Sequence, residues 1–169
     1  MGMFEKAPQS GIYAACRDIF KTLRDDQILC KYLYYPSADM DDDPTLKTDV
    51  TSSQKEEVFS ITIGTDDLEG PNQIKRGRLS FGLGVIQKSY KNHKASRPTV
   101  LIYLYIPREG FQNIDFRLEA VIDRVDELIS DRRFEGSFGR VVKDTSNPYD
   151  APKGYVGFIL RYGFMDTDF

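Results

Sequence analysis

The stretch PTVLIYLYIPREGFQNIDFRLEAVIDRVDELI, Pro98–Ile129, decides the fold. Its first part, Thr99–Pro107, is apolar at odd and even positions alike. That pattern predicts a strand buried on both faces, hence central in a sheet. Its second part changes period. Leu118, Val121, Ile122, Val125, Leu128 and Ile129 recur at helical spacing and predict an amphipathic helix over about Asn113–Arg133. Asn113 or Asp115 would cap its start, and Arg132 and Arg133 would suit the negative end of its dipole. A central strand followed by an amphipathic helix calls for a sheet with helices laid on it.

On the C-terminal side, two strands are predicted, at about Phe138–Lys143 and Gly154–Met165. They are joined by the turn-rich DTSNPYDAPKG. The last strand has one apolar face (Val156, Phe158, Leu160, Tyr162, Phe164) and one mixed face that includes Tyr155 and Arg161. On the N-terminal side, Ile12, Ala15, Cys16, Ile19, Phe20 and Leu23 predict a helix over Ser10–Arg24. ILCKYLYYP, Ile28–Pro36, reads as a strand from its aromatic and aliphatic richness. Residues 37–54 are polar and aperiodic and read as a loop. Glu56–Thr65 and Arg76–Lys88 read as strands, the second with Leu79, Phe81, Leu83 and Val85 alternating. Tyr90–Pro98 reads as a loop. The expected fold is α+β in two layers: two amphipathic helices packed on a mostly antiparallel sheet of about five to six strands. Residues 1–169 are expected to form a single domain, with a long polar loop at 37–54 and a basic hairpin at 75–97.

The longest apolar run, Val100–Ile106, falls far short of the roughly 20 residues that cross a bilayer, so no membrane partner is expected. MGMFEKAPQSG lacks the basic start and apolar stretch of a secretory leader. Two cysteines, Cys16 and Cys30, are too few for a disulfide framework and fall among apolar positions, which suits a reducing cytosol.

Catalysis finds little to work with. His93 is the one imidazole, and it sits among cations in YKNHKASR. Gly82 and Gly84 lie in a strand pattern without the third glycine of a nucleotide loop. Asp39, Asp41 and Asp43 have the alternate spacing of a calcium loop, but Pro44 replaces its glycine and Val50 its bidentate glutamate. Carboxylates on the second helix, such as Glu119 with Asp123, fit a solvated face. No catalytic residue, cofactor or metal is therefore expected, and the protein is not read as an enzyme.

Charge carries more information. The net charge is −3, from 26 acidic and 23 basic residues. Residues 37–69 hold ten acids and two bases, while residues 70–97 hold seven bases and no acid. The two segments either neutralise each other within one copy or lie on opposite sides and join copies head to tail, in a ring if the rotation closes. The near-neutral total favours protein–protein pairing over DNA phosphates as the use of the basic segment.

The order of elements resembles the tail terminator (tail completion) proteins of long-tailed bacteriophages. The resemblance rests on PTVLIYLYIPREG, then FRLEAVIDRVDELI, then GRVVKD and GYVGFILRYGF. ILCKYLYYP and VFSITIGTDDLEG match the family's opening. It implies a structural virion protein at the neck or tail top, assembled in the host cytoplasm. It implies a homohexameric ring that ends polymerisation of the tail tube protein and meets the head connector. DNA would pass through the hole without sequence-specific binding. Charge and alternation, not a family motif, nominate the contact residues. Asp41, Asp42 and Asp43 would meet Arg76, Arg78 and Lys88 of a neighbour, and Tyr103, Tyr105, Tyr155 and Arg161 would serve a contact on the sheet. The alternatives are another head–tail connector (neck or stopper) protein, or a cytosolic enzyme or small-ligand module.

Overall fold

The structure, a computed structural model, describes residues 11–61, 68, 75–84, 87–88, 96–97, 99–134 and 139–165. The first helix, α1 (Gly11–Asp25), buries Ala15, Ile19 and Leu23, spaced four apart on one face. The expected strand at Ile28–Pro36 is instead a helix, α2 (Gln27–Tyr34). Periodicity decides this against composition. Leu29, Cys30, Leu33 and Tyr34 are buried together, whereas a strand would turn Lys31 inward with Leu29 and Leu33. The helix sends Lys31 outward to Asp49 at 2.9 Å. Asp26 fixes its start by accepting from the Leu29 N–H at 2.8 Å.

The polar segment 37–54 is not all loop. A tight turn, Pro44–Leu46, is capped by Asp43, and α3 (Ser52–Val58) opens at Thr51. Thr51 and Gln54 form a reciprocal capping box there. That start signal converts the beginning of the expected strand Glu56–Thr65 into helix, leaving only the two-residue strand β1 (Phe59–Ser60). Residues 62–65 of that expectation lie outside the described residues. Arg76–Lys88 reduces to β2 (Arg78–Leu83), then β3 (Gln87–Lys88). Ser96–Arg97, expected as loop, is β4 and pairs antiparallel with β3. Val85, Tyr90 and His93 lie outside the described residues.

Thr99–Pro107 is β5, third in the sheet order β1-β2-β5-β7-β6 and therefore central. Only β1 and β2 run parallel; the other neighbours in this five-stranded sheet are antiparallel. The expected helix Asn113–Arg133 is broken. It divides into α4 (Asn113–Asp115) and α5 (Arg117–Ile129) because Phe116 adopts the left-handed conformation, φ 52° and ψ 44°. It also ends early, at Ile129, leaving Arg132 and Arg133 beyond it. No side chain of residues 113–116 caps α5; the Gln112 side chain accepts from the Leu118 N–H at 2.7 Å instead. The last two strands are β6 (Arg140–Tyr149) and β7 (Tyr155–Met165). β6 runs through much of the expected loop. Its Pro148 is tolerated because β6 is an edge strand, and a bulge interrupts its register between Lys143 and Thr145.

The result is an α+β fold in which α1, α2 and α5 lie on one face of the sheet. Their stripes meet Leu79 and Phe81, Val100, Ile102, Leu104 and Ile106, and Leu160, Tyr162 and Phe164 in one apolar core. Each such side chain contributes about 1.5–3 kcal/mol by leaving water. Leu83, expected on the same face, is exposed. Among the described residues no helix is long and apolar enough to cross a membrane.

Candidate functional site

Two loops and a buried arginine organise one end of the molecule. Arg117, at the start of α5, is 0% exposed. Its guanidinium donates to the backbone carbonyls of Tyr32 at 2.6 Å and Tyr35 at 2.7 Å, which α2 leaves unpaired at its C-terminal end. It also donates to Ser37 Oγ at 2.7 Å and to both carboxylate oxygens of Asp115 at 2.7–3.1 Å. The single Ser37 hydroxyl proton has two acceptors in reach, the Asp42 carbonyl at 2.8 Å and Asp115 at 3.1 Å. The Ser37 N–H donates to the carbonyl of Gly110, whose φ of 75° lets the chain turn under Pro36. The planar fork thus joins α2, the acidic turn and the α4–α5 junction.

The acidic turn uses its carboxylates on its own backbone. Asp39 accepts from the N–H groups of Asp41 and Asp42, and Asp43 accepts from Thr45. Asp42 accepts from Ala38 and pairs with Lys47 at 2.9 Å; the Lys47 bond, then the Ala38 bond, hold its carboxyl below the usual range. Asp41 and Asp43 are exposed. Among the described residues no group of three or more His, Cys, Asp or Glu is placed to hold a metal ion.

Of the basic residues expected opposite, Arg76 is engaged locally. It lies 4.1 Å over the Tyr34 ring, donates to the Tyr34 carbonyl at 2.9 Å and approaches Glu57 at 4.0 Å. Arg78 is half-buried on β2, opposite Tyr105 of β5. The Lys88 side chain lies outside the described residues. Tyr103, Tyr105 and Tyr155 do come together, with Leu101, on the sheet face away from the helices. They are buried there, not exposed, and burial pushes each phenol above its usual range. Tyr149 of β6 packs edge-on to Tyr103 at 5.0 Å. Arg161 stands on the same face, opposite Leu101.

The charge separates by layer as well as by segment. The strands of the five-stranded sheet carry Arg78, Arg140, Lys143 and Arg161 against a single acid, Asp144, and Lys143 turns toward the helices to meet Asp126. The helices with the loops from α1 to α3 carry 15 acids and 8 bases. Several acids are paired within the copy, Asp49 with Lys31 and Glu56 with Arg24 among them. By residue count the helical elements stay acidic and the five-stranded sheet basic.

Sequence reasoning missed the polar contacts that hold the layers together. Arg124 grips Asp26 at 2.6 and 3.0 Å, and Asp126 receives the Tyr162 hydroxyl and Lys143. Asp126 and Arg124 are therefore joints, not a solvated face. Burial opposes ionisation of Asp26, but Arg124 and the Leu29 N–H outweigh it and lower its pKa. Arg117 had a signal: it falls four before Val121, on the stripe that faces inward.

The chemistry available is sparse. Burial pushes the Cys30 thiol up to about 11, and Cys16 is also raised by burial, so both resist forming the reactive thiolate. A cleft of about 440 Å³ near the β6–β7 turn joins Arg108 and Asp150 to apolar walls from Leu118, Tyr155 and Phe158. Its lining offers no nucleophile beside a base.

The chain belongs to the YomW family, whose model matches residues 26–164. No curated protein matches. In fold, the chain is similar to a chain from the virion of a native gene transfer agent particle. The TM-score is 0.53 at 11% identity, over 92% of this chain and 96% of that one.

Proposed function

We propose that this YomW-family protein is a structural component of a phage or phage-like virion. More finely, we propose that it forms a ring of copies that caps the tail tube at the neck and meets the head connector. The observation that carries this reading is the near end-to-end likeness in fold to a chain of a gene transfer agent virion. Coverage of both chains means that the whole architecture, not one motif, is shared. Charge separation between the layers supports the ring. A closed ring built head to tail needs two different, complementary surfaces on each copy. An acidic helical layer and a basic sheet supply the opposite signs. In this reading the protein works by assembly and catalyses nothing.

Native mass spectrometry and electron microscopy test the proposal. Closed oligomers, hexamers in the finer reading, are expected, weakening as salt screens the charged contacts. Incubation with tail tubes whose subunits still polymerise should stop elongation. A protein that stays monomeric at every concentration and binds neither tubes nor connectors would falsify the reading.

A further inference from the structure

The outer face of α1 is a surface without a partner. Ala15, Ile19 and Leu23 turn one side of the helix into the core. Tyr13, Arg17 and Lys21 repeat the same spacing, offset along the chain so that they stand about 200° round the helix from that side. Tyr13 is 55% exposed, and Arg17 and Lys21 are exposed with it. Among the described residues neither cation makes an ion pair. Arg24, in the last turn of α1, is by contrast directed to Glu56 of α3 at 3.8 Å. Packing uses only the inner stripe of a helix, so an aromatic ring in line with two free cations serves nothing inside the copy.

Charge names the occupant. The complement of two cations beside a ring is a surface of carboxylates around an apolar side chain, and the turn after α2 presents one. Asp39, Met40, Asp41 and Asp43 are exposed there, Met40 at 73%. Asp42 is occupied by Lys47, but among the described residues the other three carboxylates make no ion pair. A thioether is also favoured against an aromatic ring. Stripe and turn leave α2 from opposite ends of one copy. Arg124 of α5 holds Asp26 at the start of α2, where α1 ends. Arg117, about 10 Å earlier along α5, holds the carbonyls at the end of α2, where the acidic turn begins. Two complementary surfaces set at different places on one copy are what a head-to-tail contact requires.

We infer that the outer stripe of α1, Tyr13, Arg17 and Lys21, is the seat on one copy for the acidic turn of the next, with Asp41 among the cations and Met40 against the Tyr13 ring. The inference rests on the ring reading and names within it a second positive surface, carried by the helical layer itself. The cations steer and orient the turn, and the ring supplies the apolar area that holds it.

Sedimentation and thermal unfolding of the full-length chain test it. The substituted side chains are exposed, so R17E/K21E, Y13A and D41K should unfold at the wild-type temperature. R17E/K21E should associate at least tenfold more weakly than wild type, and Y13A and D41K several-fold. An equimolar mixture of R17E/K21E and D41K should associate more tightly than either alone. In the mixture a wild-type turn meets a wild-type stripe at every second contact, and a reversed stripe meets a turn with a new cation at the others. If wild type assembles and R17E/K21E assembles as tightly, or if mixing restores nothing, the α1 seat is refuted while the ring reading stands. If wild type never self-associates, both fall. If R17E/K21E assembles normally but loses binding to a short DNA duplex at low salt, the stripe serves phosphates and the inference is overturned. Should R17E/K21E fail to fold, R17Q/K21Q removes the charges without reversing them, and its assembly at wild-type strength would refute the seat.

Discussion

Replacing Arg117 by Met removes the fork that joins three segments while keeping an unbranched chain in the cavity. The wild-type side chain is 0% exposed and donates to two carbonyls, one hydroxyl and a carboxylate. In the variant the Asp115 carboxylate, 18% exposed, loses its cation, and the carbonyls of Tyr32 and Tyr35 lose their donors. Breaking a buried ion pair from one side costs about 3–5 kcal/mol. Part of the carbonyl cost is relieved if water enters. The expected loss is therefore about 3–5 kcal/mol, against a total of about 5–15 kcal/mol for a domain. For a chain of this size that is a fall in Tm of roughly 6–20 °C. Guanidinium denaturation at neutral pH, with the slope unchanged, measures it. Arg117→Lys should recover less than half, because an ammonium cannot reach the carboxylate and both carbonyls in one plane. A loss below about 1 kcal/mol for Arg117→Met would refute the clamp as an energetic centre.

Two further outcomes follow from titrating groups. Asp26→Asn keeps an N-cap for α2 but loses the ion pair with Arg124, costing about 1–2 kcal/mol at pH 7. Because the folded pKa of Asp26 is lowered, its contribution is complete above the unfolded value of about 4 and fades as pH falls through the folded value. Denaturation curves of variant and wild type should converge in acid, and a gap that persists below pH 3 would reject the ion pair as its source. The Tyr162 phenol is raised, first by burial and then by Asp126, so its contribution is complete below about pH 10 and is lost above it. Tyr162→Phe should be less stable by about 1 kcal/mol at pH 7 yet lose stability less steeply in alkali. Equal slopes above pH 10 would show that Tyr162 is not the group responsible.

The core of the fold could be read from patterns whose two faces differ, and also from Thr99–Pro107, whose faces do not. The stripe of α5 and the apolar face of β7 both lie where alternation or helical spacing assigns them. Misreadings fell where composition was allowed to outrank period. Residues 28–34 look like a strand because they are rich in Tyr, Leu and Ile, yet Lys31 breaks the alternation and Asp26 supplies a cap. The capping box at Thr51 and Gln54 is equally legible in the sequence as a helix start. Other features were beyond sequence patterns. Phe116 breaks a helix without Gly or Pro, because Arg117 is drawn inward to Asp115 and the ends of α2. The tyrosines chosen for a contact do share a sheet face, but alternation cannot tell an exposed face from one that is covered.

Charge and apolar anchor do different work in an assembly of this kind. In the proposed ring, opposite signs on the two layers would bring copies together in one orientation, since like faces repel and unlike faces attract. They hold weakly, because an exposed ion pair is worth about 0–1 kcal/mol and salt screens it. Several of the acids are already paired within their own copy, which reduces what they can offer a neighbour. In the proposed ring, tight seating then has to come from desolvated apolar area. Charge alone would give an assembly that falls apart as salt rises. With the anchor, salt should slow assembly far more than it hastens release. The two contributions therefore separate in kinetics: in the proposed ring, D41K should act mainly on the association rate.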